Sequence, residues 1–246
     1  MEAKVNIMGL DVDLISTDSF TNRIEQYLTN DYLNIIFLLS TSMVYDAMER
    51  EAYKETLSKA HMLIPGEEAL LSEFHVEALR ETGIVTNYRC MYQMLDGIKD
   101  EHKTMYLVGA DEEEMKHFMN VCKEVYPNTR ILGAYLVTED INMELVINEI
   151  NGANPDILTV IMNSPEQENW IVENAAKINA KLCIGIGGIV KKILQEYKEP
   201  PLFFRKFKLE RVYYKLHLQV VVKLKKIWQH RIFERKIEHY KNKKGE

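Results

Sequence analysis

The chain has 246 residues, of which 46% are hydrophobic and 28% charged, with 31 Lys+Arg against 37 Asp+Glu. This is the composition of a globular protein with a full hydrophobic core, and it excludes the disordered and collagen-like classes. Three widely spaced cysteines without a Cys-x-x-Cys pair, and seven scattered histidines, argue against a disulfide framework and predict no metal site.

From the N-terminus to about residue 200, apolar runs alternate with segments whose apolar residues recur three and four positions apart. The predicted strands are Val5–Leu10, Asn34–Ser40, Met62–Pro65, Thr104–Val108, Thr129–Gly133, Ile157–Met162 and Lys181–Ile186. The predicted helices are Ser19–Thr29, Ser42–Lys59, Met91–Ile98, Glu112–Tyr126, Met143–Asn151 and Glu166–Ile178. This alternation predicts an α/β, Rossmann-like fold, with a mainly parallel sheet covered by helices on both faces.

The C-terminal part of the chain has a different character. Residues 191–246 contain 17 Lys+Arg and 6 Asp+Glu, whereas the other 190 residues contain 14 and 31. Within this part, apolar residues at helical spacing predict one basic amphipathic helix or two in tandem: Leu209, Val212, Leu216, Val220, Leu224 and Ile227. We therefore divide the chain into an α/β domain, residues 1–200, and a basic helical appendage, residues 201–246.

The charge pattern of the appendage leaves its partner open. An anionic membrane surface, the acidic body of the protein and a partner subunit all suit a basic amphipathic face. Nucleic acid does not suit the protein, because the strongly acidic body would repel a phosphate backbone. The first residues lack a long apolar region and no window approaches the roughly 18 apolar residues of a membrane span, so we expect a cytoplasmic protein.

Four loops follow predicted strands at the edge of the sheet where open α/β folds bind ligands. They contain Thr41-Ser42, residues 65–68, residues 109–111 and Gly187-Gly188. Glycines at such positions let a phosphate or a sugar approach the backbone. None of these loops carries the complete Gly-x-Gly-x-x-Gly motif of dinucleotide-binding folds, so a nicotinamide or flavin enzyme has little support.

Another segment after a predicted strand, residues 163–170, is more specific. Ser164 as N-cap, Pro165 at the first helical position and acidic residues in the first turn predict the start of a helix. A helix start alone does not require Gln167 or Trp170.

The segment from residue 155 to residue 170, PDILTVIMNSPEQENW, resembles a signature of the bacterial WecG/TagA/CpsF glycosyltransferases. In that family a Pro-Asp strand is followed by a small polar residue, Ser-Pro, any residue, Gln-Glu, and an aromatic residue two positions later. The resemblance extends over most of the chain: residues 5–13 look like the opening strand pair, residues 105–109 like the central strand and its glycine turn, and residues 184–188 like the late glycine loop. Glu210 stands where the family begins its basic appendage.

The resemblance implies transfer of an N-acetylhexosamine-type sugar from a UDP-sugar donor to a polyprenyl-linked acceptor in the synthesis of cell-surface polysaccharide or teichoic-acid-like polymers. It implies no cofactor and no required metal, and a peripheral location on the inner face of the cell membrane, reached through residues 201–246. A homo-oligomer or a partner glycosyltransferase also fits the family.

The chain departs from the family pattern at five places. The family's Thr-x-Asn is Thr41-Ser42-Met43, and its Pro-Asp-Gly loop, which carries the proposed base, is residues 65–67, Pro-Gly-Glu. Residues 84–90 lack an expected Arg, Gly and Asp, residues 189–191 replace Thr-Phe-Asp, and an aromatic stretch is reduced to residues 134–135. Two hypotheses follow: a divergent active transferase, or a catalytically inactive homologue that binds or activates a partner glycosyltransferase.

For an active enzyme, the resemblance assigns roles residue by residue. Glu67, or its neighbour Glu68, would replace the missing acid as the general base, and Gln167 would contact the donor or the reacting sugar. Arg205 and Arg211 would meet the diphosphate or lipid head groups. The remaining substrate-binding candidates are Thr41, Gly109, Asn163, Ser164, Glu168, Gly187 and Gly188.

Overall fold

In a computed structural model, the chain forms two compact units, Met1–Glu196 and Tyr197–Glu246. The structure describes residues 2–74, 84–86, 89–98, 101–137 and 143–191, together with positions 194, 203, 206, 207, 209, 212 and 213. Arg205, Glu210 and Arg211 lie outside the described residues, as does the predicted apolar stripe beyond Val212.

The chain begins with an antiparallel hairpin of β1 (Glu2–Ile7) and β2 (Leu10–Ile15). The predicted single strand Val5–Leu10 is therefore wrong in its bounds, because the chain reverses at Met8 and Gly9. Both residues have positive φ angles, 51° and 88°. The Asn6 side chain supports the turn by accepting a hydrogen bond from the Gly9 N–H at 3.0 Å.

The central sheet has six parallel strands, as the alternating pattern predicts. They are β3 (Asn34–Leu39), β4 (Met62–Pro65), β5 (Thr104–Gly109), β6 (Arg130–Leu136), β7 (Ile157–Ile161) and β8 (Leu182–Gly185). Their order across the sheet is β4-β3-β8-β7-β5-β6. Every residue of β3, β4, β7 and β8 is buried, which explains their nearly continuous apolar sequences.

Helices flank this sheet. They are α1 (Thr17–Thr29), α2 (Thr41–Glu49), α3 (Glu51–Ser58), α4 (Glu68–Glu73), α5 (Arg89–Gly97), α6 (Glu112–Val125), α7 (Met143–Ala153) and α8 (Glu166–Asn174). The α/β fold class with a parallel sheet is thus confirmed. The short helix α4 was not predicted, and α8 ends four residues earlier than expected.

The predicted helix Ser42–Lys59 is two helices, α2 and α3. Arg50 separates them with an extended backbone, φ −129° and ψ 97°. Ala47 of α2 and Tyr53 of α3 are both buried on the two sides of this break. The break gives α3 its own buried face, which includes Tyr53 and Leu57.

Candidate active site

A cavity of about 440 Å³ lies at the carboxyl ends of β4, β3, β8 and β7. We call it the sheet-edge cavity. Four neighbouring strands contribute to it, as expected for a ligand site in an open parallel sheet. Its lining residues are Leu38, Ser40, Ser42, Met43, Gly66, Glu67, Asn163, Ser164, Gln167, Gly185, Ile186, Gly187 and Gly188.

Glu67 reaches this cavity because the chain turns tightly after β4. The Gly66 N–H donates to the Leu39 carbonyl at 2.7 Å, and a Cβ on Gly66 would lie 3.1 Å from backbone atoms of Leu38 and Leu39. The turn brings the Glu67 carboxylate beside the first residue of α2, where Oε1 accepts from the Thr41 N–H at 2.8 Å. A carboxylate is favourable at the N-terminus of a helix.

Glu68, the other candidate for the base, lies elsewhere. It is exposed in the first turn of α4 and does not line the sheet-edge cavity. Of these two neighbouring acidic residues, only Glu67 is among the described residues that line the sheet-edge cavity.

The start of α2 forms a second part of the wall. Ser40 is the N-cap of α2, and its hydroxyl accepts from the Met43 N–H at 3.3 Å. The hydroxyls of Ser40 and Ser42 lie 2.9 Å apart. Met43, where the resemblance implies an Asn, also lines the cavity, so the polarity of this wall comes from the two serines.

Gln167, on α8, connects the cavity wall to the glycine loop after β8. Its Oε1 accepts from the Gly187 N–H at 2.8 Å and from the Met162 N–H at 3.4 Å. Its Nε2 donates to Glu168 Oε1 at 2.8 Å. The side chain is 4% exposed, so these protein groups surround it almost completely.

Glu168 lies behind the wall and is 1% exposed. Besides Gln167, its carboxylate accepts from the Ser164 hydroxyl at 3.0 Å and from the Tyr53 hydroxyl at 2.9 Å. Burial raises the pKa of the Glu168 carboxyl, and these three donors act in the opposite direction. Burial and the neighbouring Glu168 also raise the pKa of Tyr53.

The predicted N-cap role of Ser164 is wrong. The helix α8 begins at Glu166 with Pro165 as its N-cap, and no side chain caps it. The Ser164 hydroxyl donates to Glu168 instead. A buried carboxylate without donors costs more free energy than the N–H groups of an exposed helix end, which water can reach.

The structure brings most of the predicted site residues of the α/β unit together. Those that line the sheet-edge cavity are Glu67, Asn163, Ser164, Gln167, Gly187 and Gly188. Thr41 contributes its backbone N–H to Glu67 without itself lining the cavity, and Glu168 stands behind Gln167. Gly109 does not line it either; a Cβ there would lie 2.5 Å from Met115 Sδ, so this glycine permits close packing of α6.

Several residues of the site were not singled out from the sequence. Ser40 carries a recognisable signal, since a serine between an apolar strand and a helix is a typical N-cap. Tyr53 carries none, because it is 115 positions from the Glu168 it contacts.

Two negative findings concern only the described part of the chain. There, no three His, Cys, Asp or Glu side chains come together in a way that could hold a metal ion. Likewise, none of the described helices has the length and hydropathy needed to cross a membrane.

The second unit is described at few positions. Phe203 and Phe207 are exposed, at 63% and 57%, and their ring centroids are 4.9 Å apart. Leu209 and Val212 are also exposed.

Comparison with known proteins agrees with the geometry. Residues 5–217 match the glycosyl transferase WecG/TagA/CpsF family. Proteins of the Staphylococcus aureus strains MRSA252, NCTC 8325 / PS 47 and COL, each named N-acetylglucosaminyldiphosphoundecaprenol N-acetyl-beta-D-mannosaminyltransferase, are 26% identical over 215 residues, which are 86% of this chain and 84% of theirs. The chain therefore belongs to the WecG/TagA/CpsF family and is a glycosyltransferase.

Proposed function

We propose that the sheet-edge cavity binds a UDP-sugar and that the chain transfers its N-acetylhexosamine to a polyprenyl-diphosphate-linked acceptor in cell-surface polymer synthesis. The names of the Staphylococcus aureus relatives support this proposal, since they specify an N-acetylmannosaminyl group and a diphosphoundecaprenol-linked acceptor. The cavity volume of about 440 Å³ is also within the usual range for small-molecule sites.

The position of Glu67 carries the catalytic part of the proposal. Among the described residues that line the cavity, Glu67 is the only one with a titratable side chain. Glycosyl transfer requires a base that accepts the proton of the acceptor hydroxyl while its oxygen attacks the anomeric carbon and the nucleoside diphosphate leaves. A glutamate at this place supplies that base, in place of the family's aspartate one position earlier.

Neutral donors in the cavity suit the sugar and the departing diphosphate. Ser40, Ser42 and Asn163 line the cavity and carry hydroxyl or amide donors. Ser164 also lines it, but its hydroxyl proton is donated to Glu168. Gly188 is exposed there, and a Cβ on it would meet nothing within 4 Å, so a ligand has free access to this backbone. Donors aimed at developing negative charge lower the barrier to its formation. Arg205 and Arg211, outside the described residues, would add positive charge for the diphosphate or lipid head groups.

The appendage, residues 201–246, would hold the enzyme on the inner face of the membrane, where a polyprenyl-linked acceptor is anchored. Its excess of basic residues and the exposed rings of Phe203 and Phe207 support this role. A contact with a second copy or with a partner glycosyltransferase is the other use of the same surface.

The test compares Glu67→Gln with Glu68→Gln. The first variant keeps the shape of the side chain and an oxygen for the Thr41 N–H but removes the base, so kcat should fall about 10²- to 10⁴-fold while UDP-sugar affinity is kept. The second changes an exposed neighbour and should leave transfer unchanged. Calorimetric titration with UDP-sugars and a transfer assay on polyprenyl-linked N-acetylglucosamine supply the measurements.

Full activity of Glu67→Gln would show that Glu67 is not the base. A wild-type protein that binds a UDP-sugar and transfers nothing to any lipid-linked acceptor would instead support a binding role beside a partner glycosyltransferase.

A further inference from the structure

A line of buried hydrogen bonds runs from α3 to the glycine loop of the sheet-edge cavity. The Tyr53 hydroxyl donates to Glu168, Glu168 accepts from the Gln167 amide, and the Gln167 oxygen accepts from the Gly187 N–H. Tyr53, Gln167 and Glu168 are each less than 5% exposed. Tyr53 does not line the cavity, so any influence on the reaction must pass through the other members of this line.

We propose that Tyr53 and Glu168 are positioning residues, which fix the orientation of the Gln167 amide and thereby the place of the Gly187-Gly188 turn in the cavity wall. This inference rests on the proposed function, because it assigns the turn to the substrate site of that reaction. It also gives Gln167 a specific role: its polar atoms hold the loop that faces the substrate.

The orientation argument follows from the chemistry of an amide. The Met162 and Gly187 N–H groups both require an acceptor, so the oxygen of Gln167 must face them. The oxygens of Glu168 accept from Tyr53, Ser164 and Gln167, so this side of the Gln167 amide must be its nitrogen. If the Gln167 amide were reversed, its NH₂ group would face the N–H groups of Met162 and Gly187, and its oxygen would face the carboxylate of Glu168.

Steric contacts transmit the orientation to the loop. A Cβ on Gly185 would lie 2.5 Å from Gln167 Nε2, and a Cβ on Gly187 would overlap the Met162 carbonyl. The backbone after β8 is therefore packed directly against the Gln167 side chain and the end of β7. A displaced Gln167 cannot leave this backbone in place, because protein interiors have little free space.

The most demanding test is Glu168→Gln. The carboxylate serves three donors, from Tyr53, Ser164 and Gln167, whereas an amide of the same shape must direct its own NH₂ at one of them. We expect Gln167 to lose its fixed orientation. UDP-sugar affinity should fall about tenfold or more, and hydrogen exchange of the Gly187 N–H should become at least about tenfold faster.

A milder variant, Tyr53→Phe, removes one hydroxyl from the far end of the line. Its control is Tyr27→Phe, at another tyrosine of the core, which removes the part-buried hydrogen bond from the Tyr27 hydroxyl to the His61 carbonyl at the amino end of the sheet. Tyr53→Phe should lower the urea midpoint somewhat more, because it removes a donor from a buried carboxylate, so the activities of both variants are compared well below their unfolding transitions. Only Tyr53→Phe should lower kcat/KM, by about fivefold to tenfold, and accelerate exchange in residues 185–190.

A double-mutant cycle then distinguishes positioning from general loss of packing. If Tyr53 acts through the Gln167 amide, the effect of Tyr53→Phe on kcat/KM should largely disappear in a Gln167→Ala background. An undiminished effect in that background, or equal effects of Tyr53→Phe and Tyr27→Phe, would overturn the proposal.

The exchange measurement separates this inference from the proposed function. If the wild-type protein transfers no sugar, the proposed function fails, whereas the exchange rate of Gly187 still reports whether Tyr53 and Glu168 hold the loop. Unchanged exchange in folded Glu168→Gln and Tyr53→Phe proteins would overturn the positioning role whatever the activity.

Discussion

The Glu67 carboxylate and the Thr41 backbone N–H are joined by a hydrogen bond of 2.8 Å. This one contact connects the loop after β4 to the first residue of α2. The carboxylate proposed as the base therefore also satisfies a backbone donor at the start of a helix, a group that would otherwise lack an intrahelical partner. Its structural and chemical contributions can be separated by substitution.

Glu67→Ala should destabilise the protein more than Glu67→Gln does. The alanine leaves the Thr41 N–H without this acceptor and should lower the free energy of unfolding by about 1 kcal/mol. The glutamine keeps a neutral acceptor and loses only the interaction of the charge with the helix, about 0.5 kcal/mol. Urea denaturation measures both differences, and equal stabilities of the two variants would contradict the role of this contact.

Two adjacent glycines give a matched pair of variants in the cavity wall. A Cβ on Gly187 would overlap the Met162 carbonyl, whereas a Cβ on Gly188 would meet nothing within 4 Å. We expect Gly187→Ala to displace the loop and to lower UDP affinity at least about tenfold in calorimetric titration. Gly188→Ala should fold like the wild type, and an equal stability loss in both variants would refute the packing described.

The three cysteines should be unreactive in the folded protein. Cys90, Cys122 and Cys183 are all buried and none forms a disulfide. Burial raises the pKa of Cys90 and of Cys122 to about 12 and also raises the pKa of Cys183. Ellman's reagent at pH 8 should therefore find three thiols in urea and almost none without it.

The same thiols make stability depend on pH in the alkaline range. Their pKa values are higher in the folded state than the ordinary value of 9.0, so the unfolded chain releases thiol protons first as pH rises. Their contribution to stability is complete below about pH 9 and is lost as pH rises from there towards 12. The urea midpoint of the wild type should fall between pH 8 and pH 10. The midpoint of a Cys122→Ser variant should fall by less over the same range, each protein being compared with its own midpoint at pH 8.

A contact at the amino ends of the strands, opposite the sheet-edge cavity, should affect the stability of the protein without affecting ligand binding in the cavity. Asp156 Oδ2 accepts from the Thr104 N–H at 2.9 Å and from the Thr104 hydroxyl at 2.7 Å, where β5 and β7 begin. Asp156→Ala should lower the free energy of unfolding by about 1 to 3 kcal/mol. UDP-sugar affinity measured below the unfolding transition should stay at the wild-type value. A weaker affinity would show that the amino ends of the strands are coupled to the cavity at their carboxyl ends.

Membrane attachment through residues 201–246 should depend on salt and on lipid charge. The full-length protein should co-sediment with vesicles that contain phosphatidylglycerol, bind far less to pure phosphatidylcholine, and dissociate as NaCl rises from 50 to 500 mM. Removal of residues 201–246 should abolish this binding. Unchanged binding by the truncated protein, with UDP affinity as a check on its folding, would show that the appendage does not hold the protein on the membrane.

The sequence by itself determined the fold class and the family. Alternating apolar runs and helical periodicities report burial directly, so the six strands of the parallel sheet and most of the helices could be predicted. The Ser-Pro-x-Gln-Glu motif and the late glycines indicated the family because they are local patterns. The position of Glu67 near a ligand site also followed from sequence, since carboxyl ends of parallel strands meet at one edge.

Only the tertiary structure decided what the polar residues contact. Ser164 looked like an N-cap because its neighbours in sequence suited a helix start, whereas its hydroxyl serves a carboxylate buried by folding. Gln167 was predicted from the sequence to contact the donor or the reacting sugar, and it lines the sheet-edge cavity. The sequence did not show that its oxygen also accepts from the Gly187 N–H, 20 positions away. Tyr53 gave no signal at all. Hydrogen bonds between side chains distant in sequence depend on how elements pack, and sequence periodicity reports which residues are buried but not which ones then meet.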